Sequence, residues 1–142
     1  MALVSAELIS LQATAADKKD AIRQAGALLV EAGCVAPQYV DGMLAREETM
    51  STYLGEGVAI PHGQYDNLED VYKNGISVLQ VPAGVEWEPG EMAYLIIGIA
   101  SSSDEHVGVL SNLAEVIEDE AILEELIATT DENVVLQHLG SA

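Results

Sequence analysis

Apolar and polar positions alternate along the chain in two periods, one helical and one extended. Glu7 to Leu11 reads as a short lead-in, strand or coil. Asp17 is suited to cap a helix with Asp20 in its first turn, and Ala21, Ala25, Leu28 and Leu29 then recur on one helical face until Gly33. Pro37 stands near the start of a second helix, where its missing N–H costs little, and Tyr39, Val40, Met43 and Leu44 form its apolar side. Arg46 to Tyr53 is polar and leads to Gly55-Glu56-Gly57. After a polar excursion from Gln64 to Asn74, Gly75 to Val81 reads as a strand ended by Pro82, and Ala83 to Gly90 as a loop. Met92 to Ala100 is almost wholly apolar, as expected of a central strand buried on both faces. Ser103 is placed to cap a helix from Asp104, with His106, Leu110, Leu113 and Ile117 on one face. Asp119 begins a helix holding Ile122, Leu123, Leu126 and Ile127, and Thr130 or Asp131 begins a last one ending at Gly140. This alternation predicts an α/β fold: a single layered domain over residues 1–142, with a central mixed β-sheet flanked by helices.

Composition narrows the picture. The 142 residues are 49% hydrophobic but include one Trp and no Phe, so the core must come from Leu, Ile, Val and Ala. No segment approaches the ~20 continuous apolar residues that span a bilayer. Met1 to Leu11 has no basic stretch ahead of an apolar run, so no signal peptide is expected and a soluble, cytoplasmic protein is. The lone Cys34 excludes an intrachain disulfide and forms no zinc pattern. Twenty-four acidic residues against five basic ones give a net charge of −19. No basic patch for a nucleic-acid backbone can be built from that set. The acidity fits a saline cytoplasm, a basic protein partner or a mild acidic bias.

Few groups can carry chemistry. His62 is presented in a loop, Gly57 to Gly63, between Pro61, which fixes φ and holds Ile60 extended, and Gly63, which admits close approach or a bend. A histidine so held is suited to proton transfer or covalent chemistry, or is a turn residue without a role. His106 falls in the first turn of a helix directly after an apolar strand, where open α/β sheets place ligands and free N–H groups favour anions. It can equally be a core-edge histidine. His138, near a helix C-terminus, reads as dipole-compatible surface. Arg46 either forks onto a phosphate or carboxylate or pairs with Glu47, whereas Lys18, Lys19 and Arg23 read as solvated. Cys34 reads as a small buried hydrophobe, with no local cation to stabilise a thiolate. No Gly-rich phosphate loop, dinucleotide fingerprint or close metal-ligand spacing is present.

Gly55-Glu56-Gly57-Val58-Ala59-Ile60-Pro61-His62-Gly63 resembles the active-site segment of the mannitol/fructose type IIA proteins of the bacterial sugar phosphotransferase system. Asp20 to Gly26 and Tyr39 to Glu47 resemble the first two helices of that family, chiefly of its mannitol branch. Gly98-Ile99-Ala100 followed by Asp104-Glu105-His106 resembles its second active-site segment, and Val85-Glu86-Trp87 a loop before the central strand. The chain departs from the family in its acidity and in Gly108, which loosens the helix bearing His106.

The resemblance implies that His62 is transiently phosphorylated, that His106 orients or stabilises the phosphoryl group, and that Arg46 lies near the phosphate. It implies the phosphocarrier HPr as donor, a cysteine of a IIB domain or protein as acceptor, and a membrane permease, IIC, served indirectly. No metal or nucleotide cofactor is needed for these transfers. Cys34 does not sit in the context of the IIB acceptor, so the chain resembles a stand-alone IIA or one excised from a fused transporter. Mannitol or a related polyol is the expected sugar, with a fructose-specific IIA or a regulatory IIA-like protein as the alternatives.

Overall fold

The apolar run before residue 101 becomes the middle of a mixed sheet. The computed structural model describes residues 4–63, 69–100 and 106–139. Strand β5 (Glu91–Ala100) pairs antiparallel with β4 (Gly75–Glu88) and parallel with β3 (Val58–Ala59). β1 (Ile9–Ser10) extends the β4 side in parallel, and β2 (Tyr53–Gly55) closes the other side antiparallel to β3. The order is β1-β4-β5-β3-β2.

Helices α1 (Lys18–Glu31) and α2 (Tyr39–Thr49) cover one face. Helices α3 (His106–Glu118), α4 (Glu120–Ala128) and α5 (Glu132–Leu139) cover the other. Side-chain alternation feeds both layers: Ile96 and Ala100 of β5 pack under α1, and Leu95, Ile97 and Ile99 pack under α3 to α5. The caps follow the chemistry of their residues. Asp17 accepts from Asp20 N–H at 2.8 Å, Asp119 from Ala121 and Ile122 N–H at 3.1 and 3.2 Å, and Asp131 from Asn133 N–H at 2.9 Å. Gly98 lets α1 press onto the sheet, since a Cβ there would lie 2.5 Å from Ser77 Oγ and 3.4 Å from Ala25 Cβ. The expected layered α/β domain with a mixed sheet is the fold observed.

Two expectations are corrected. Pro82 does not end its strand, because β4 runs on to Glu88 and takes in Val85-Glu86-Trp87. The register with β5 shifts between Gln80 and Val85, so exposed Pro82 falls where no ladder N–H is required. Helix α2 takes in the first part of the polar stretch from Arg46 to Tyr53, continuing through Arg46 and Glu47 to Thr49. The segment from Gly57 to Gly63 contains strand β3. The expected cap at Ser103 and helix start at Asp104 lie outside the described residues, as do positions 64–68 of the polar excursion.

Candidate active site

β2 and β3 form a hairpin whose turn, Gly55-Glu56-Gly57, has positive φ at all three residues (98°, 55° and 82°). Ile60 N–H donates to Thr52 C=O at 3.0 Å, carrying the antiparallel pairing past Ala59. On its other side the chain continues along β5: Ile99 N–H donates to Pro61 C=O at 3.0 Å, and His62 forms a parallel bridge with Ile99. His62 therefore sits at the carboxyl end of two parallel strands, the position where open α/β sheets gather ligands. It shares a sheet face with its bridge partner Ile99, which packs on the side covered by α3 to α5.

The imidazole is half-buried, and its Nδ1 lies 2.8 Å from the carbonyl oxygen of Ile60. A carbonyl only accepts, so Nδ1 carries the proton and, in the neutral ring, Nε2 carries the lone pair. In that tautomer Nε2 is the ring nitrogen chemically able to act as a nucleophile.

From the opposite face comes Tyr39, in the first turn of α2. Its hydroxyl donates to Ile99 C=O at 2.8 Å and accepts from Gly63 N–H at 2.9 Å. Burial pushes this hydroxyl above its ordinary pKa, against the opposing pull of the Gly63 N–H. Sequence reasoning placed Tyr39 on the apolar side of its helix and gave it no role at the site. The available signal was the phenol itself, since a buried tyrosine needs a polar partner. Gly63 is explained by the same contact: a Cβ there would lie 2.6 Å from Tyr39 Cε1. The close approach that Gly63 permits is made by this chain's own side chain.

Arg46 lies in the last turn of α2, and its Nη1 donates to Met50 C=O at 2.6 Å. Met50 lies two residues before Thr52, whose carbonyl accepts from Ile60 N–H, so the guanidinium is anchored near the open end of the β2–β3 hairpin. Arg46 makes no ion pair among the described residues. The alternative pairing with Glu47 is excluded because that carboxylate points inward. Glu47 is 6% exposed and accepts from Thr52 N–H at 3.1 and 3.2 Å, from Thr52 Oγ1 at 2.5 Å, from Trp87 Nε1 at 3.1 Å and from Lys18 Nζ at 3.5 Å. Lys18, expected to be solvated, bridges Glu47 and Glu88, both at 3.5 Å. This cluster ties the end of α2 to β4 and to the start of β2, and it was not legible from spacing.

His106 is the first residue of α3, and its side chain lies outside the described residues. His138 is remote from the strand ends; its Nε2 meets Glu125 Oε1 and joins α5 to α4. Cys34 is buried beneath the connection from α1 to α2, and burial raises its thiol pKa despite the nearby Lys73 ammonium, with Glu7 adding a smaller upward push. Among the described residues no cluster of three or more His, Cys, Asp or Glu could hold a metal, and no helix is long and apolar enough to cross a membrane.

Residues 2–142 match the family described as phosphoenolpyruvate-dependent sugar phosphotransferase system, EIIA 2. The chain is 54% identical over 116 residues to the multiphosphoryl transfer protein of Escherichia coli O157:H7, covering 82% of this chain and 31% of that protein. It is 43% identical over 139 residues to the PTS system mannitol-specific EIICBA component of Escherichia coli K12, covering 96% of this chain and 22% of that protein. The chain thus spans less than a third of the length of either relative. Its fold matches that of enzyme IIAMTL, solved in complex with phosphorylated enzyme IIBMTL from Escherichia coli, with a TM-score of 0.92, 41% identity and 98% of each chain covered. With this family match over nearly its whole length, the chain belongs to the EIIA type 2 family of the sugar phosphotransferase system, a family of phosphoryl-transfer domains, and it is similar there to mannitol-type members.

Proposed function

We propose that His62 accepts a phosphoryl group from the phosphocarrier HPr and passes it to a cysteine of a IIB domain, in the cytoplasm, for phosphorylation of mannitol or a related polyol. The observation that carries this reading is the hydrogen bond from His62 Nδ1 to Ile60 C=O, which leaves the lone pair on Nε2. In the forward step Nε2 attacks phosphorus, the new N–P bond forms, and the bond to the donor breaks. The charge on the three equatorial oxygens then needs cations and N–H donors. Arg46 is proposed as the cation, since its anchor on Met50 holds it near the open end of the hairpin, from which the chain runs on to His62. His106 is proposed as the second histidine, orienting the phosphoryl group from the start of α3. Onward transfer to a IIB thiolate reverses these events, and a membrane permease, IIC, would use the product. The complex of enzyme IIAMTL with phosphorylated enzyme IIBMTL supports a IIB partner, and the mannitol-specific relative supports the sugar.

Incubation with phosphorylated HPr, followed by phosphohistidine mapping under alkaline conditions, tests the acceptor. His62 is expected to carry the label and His62→Ala none; label on His106 with His62 unmodified refutes the assignment. Adding candidate IIB proteins with mannitol or fructose identifies the sugar from the phosphorylated product.

A further inference from the structure

The hydroxyl of Tyr39 sits inside the sheet. In a parallel ladder the bond from Ile99 N–H to Pro61 C=O is followed by one from Gly63 N–H to Ile99 C=O. Tyr39 Oη occupies that second rung, accepting from Gly63 N–H at 2.9 Å and donating to Ile99 C=O at 2.8 Å. The two peptide groups that bracket His62 are thus held by different means. Pro61 is bonded directly to β5, and Gly63 is bonded through a phenol that enters from the α2 side. An inserted hydroxyl holds Gly63 one oxygen's width further from β5 than a direct rung would. The ring of Tyr39 is packed in the core under α1 and α2, so the hydroxyl has little freedom to follow a moving loop. The glycine at 63 is matched to that ring, with Tyr39 Cε1, Cζ and Oη at 2.6, 2.8 and 3.1 Å from where a Cβ would stand.

We propose that Tyr39 is a positioning residue for phosphoryl transfer: its hydroxyl, bridging Gly63 and Ile99, holds the backbone that aims His62 Nε2 at the incoming phosphorus. The proposal rests on His62 being the acceptor. It follows from the local bonding, because the imidazole is oriented by a carbonyl two residues earlier in the same segment and shifts with any slippage of the chain at Gly63. Misplacement of reacting atoms by about 1 Å is enough to cost orders of magnitude in rate.

Tyr39→Phe deletes the hydroxyl and keeps the ring, and Gly63→Ala keeps the hydroxyl and displaces the ring. Both are assayed with phosphorylated HPr at a temperature where circular dichroism shows them folded. The expected result for each is a fall of about ten- to a hundredfold in the transfer rate at saturating donor. The half-saturating donor concentration should stay within about twofold, the split that marks loss of alignment over loss of docking. The ¹⁵N-imidazole spectrum of His62 should also lose the single Nδ1–H tautomer expected of the parent protein. A wild-type saturating rate and an unchanged imidazole spectrum in folded Tyr39→Phe overturn the proposal and leave the hydroxyl a core group only. His62→Ala is run beside them. If it still takes label, the acceptor assignment fails by itself; if it takes none while Tyr39→Phe matches the parent, only the role of Tyr39 fails.

Discussion

The two faces of the sheet are built by different rules. Under α3, α4 and α5 the buried side chains are aliphatic, from Val58, Ile60, Ile76 and Val78 to Leu95, Ile97 and Ile99. Gln80, at the margin, reaches the last carbonyls of α4, donating to Leu126 and Thr129 at 2.8 Å each. Under α1 and α2 the apolar layer is threaded by polar side chains with assigned partners: Tyr39 on Gly63 and Ile99, Ser77 on Ala25, and Glu47 on Thr52 and Trp87. Among the described residues no buried side-chain nitrogen or oxygen lacks a partner. Aliphatic burial is non-directional and stabilises the compact state without specifying a geometry. Buried hydrogen bonds add little net energy, yet they are costly to leave unmade, so they fix positions. The α1/α2 face reaches three places around the proposed site: the end of α2, the start of β2 and Gly63 beside His62.

Breaking each face in turn should separate these roles. Glu47→Ala should have the largest effect, about 3–5 kcal/mol of stability, because it strips a buried acceptor from Thr52, Trp87 and Lys18. Trp87 is the only tryptophan, so denaturant titration followed by its emission reports both the loss and the local rearrangement. Phosphoryl acceptance should fall as well, since Arg46 stands on the same turn. On the other face, Ile97→Ala should cost about 2–5 kcal/mol while the folded fraction keeps its parental transfer rate. A transfer defect in folded Ile97→Ala, or none in folded Glu47→Ala, would erase the distinction between the faces. Ser77→Ala, which loses one buried bond of 2.9 Å, should cost about 0.5–1.5 kcal/mol by the same titration.

The smallest expected effect is in alkali. Burial raises the pKa of both Cys34 and Tyr39, so the folded protein holds these protons after the unfolded chain has begun to lose them at ordinary values of 9.0 and 10.0. Stability should be level below about pH 9 and decline as pH rises through the raised values. Chemical denaturation of Cys34→Ser and Tyr39→Phe across that range should show a shallower decline in each. An unchanged decline in both would remove these two groups as its cause.

Elements with one dominant period were legible in the sequence. The caps at Asp17 and Asp119 and the central strand up to Ala100 follow from side-chain chemistry and hydrophobic runs. The second half of β4 was not, although Val85-Glu86-Trp87-Glu88 alternates inward and outward. Pro82 reads as a stop unless the register is known to shift beside it. For the proposed site, His62 stood out because Pro61 and Gly63 flank it in sequence, and Arg46 because cations are scarce. The tasks of Glu47 and Tyr39 could not, since their partners Trp87 and Ile99 are distant in sequence and only the folded sheet brings them together.

The brevity of β3 has a consequence for how the molecule comes apart. β4 and β5 are long neighbours joined by the turn at Pro89 and Gly90, and such local antiparallel pairing forms early and opens late. β3 has two residues and joins β5 in parallel across a long intervening stretch of chain. Its detachment uncovers few contacts, so it belongs to the low-energy end of the opening spectrum. Native-state hydrogen exchange should therefore release the amides of Ile60 and Gly63 at lower free energy than those of Ile76 or Ile97. Mild heat or denaturant would then silence the proposed phosphoacceptor while the hairpin and both helical layers stay intact, and such a protein can lose its function before it loses its fold.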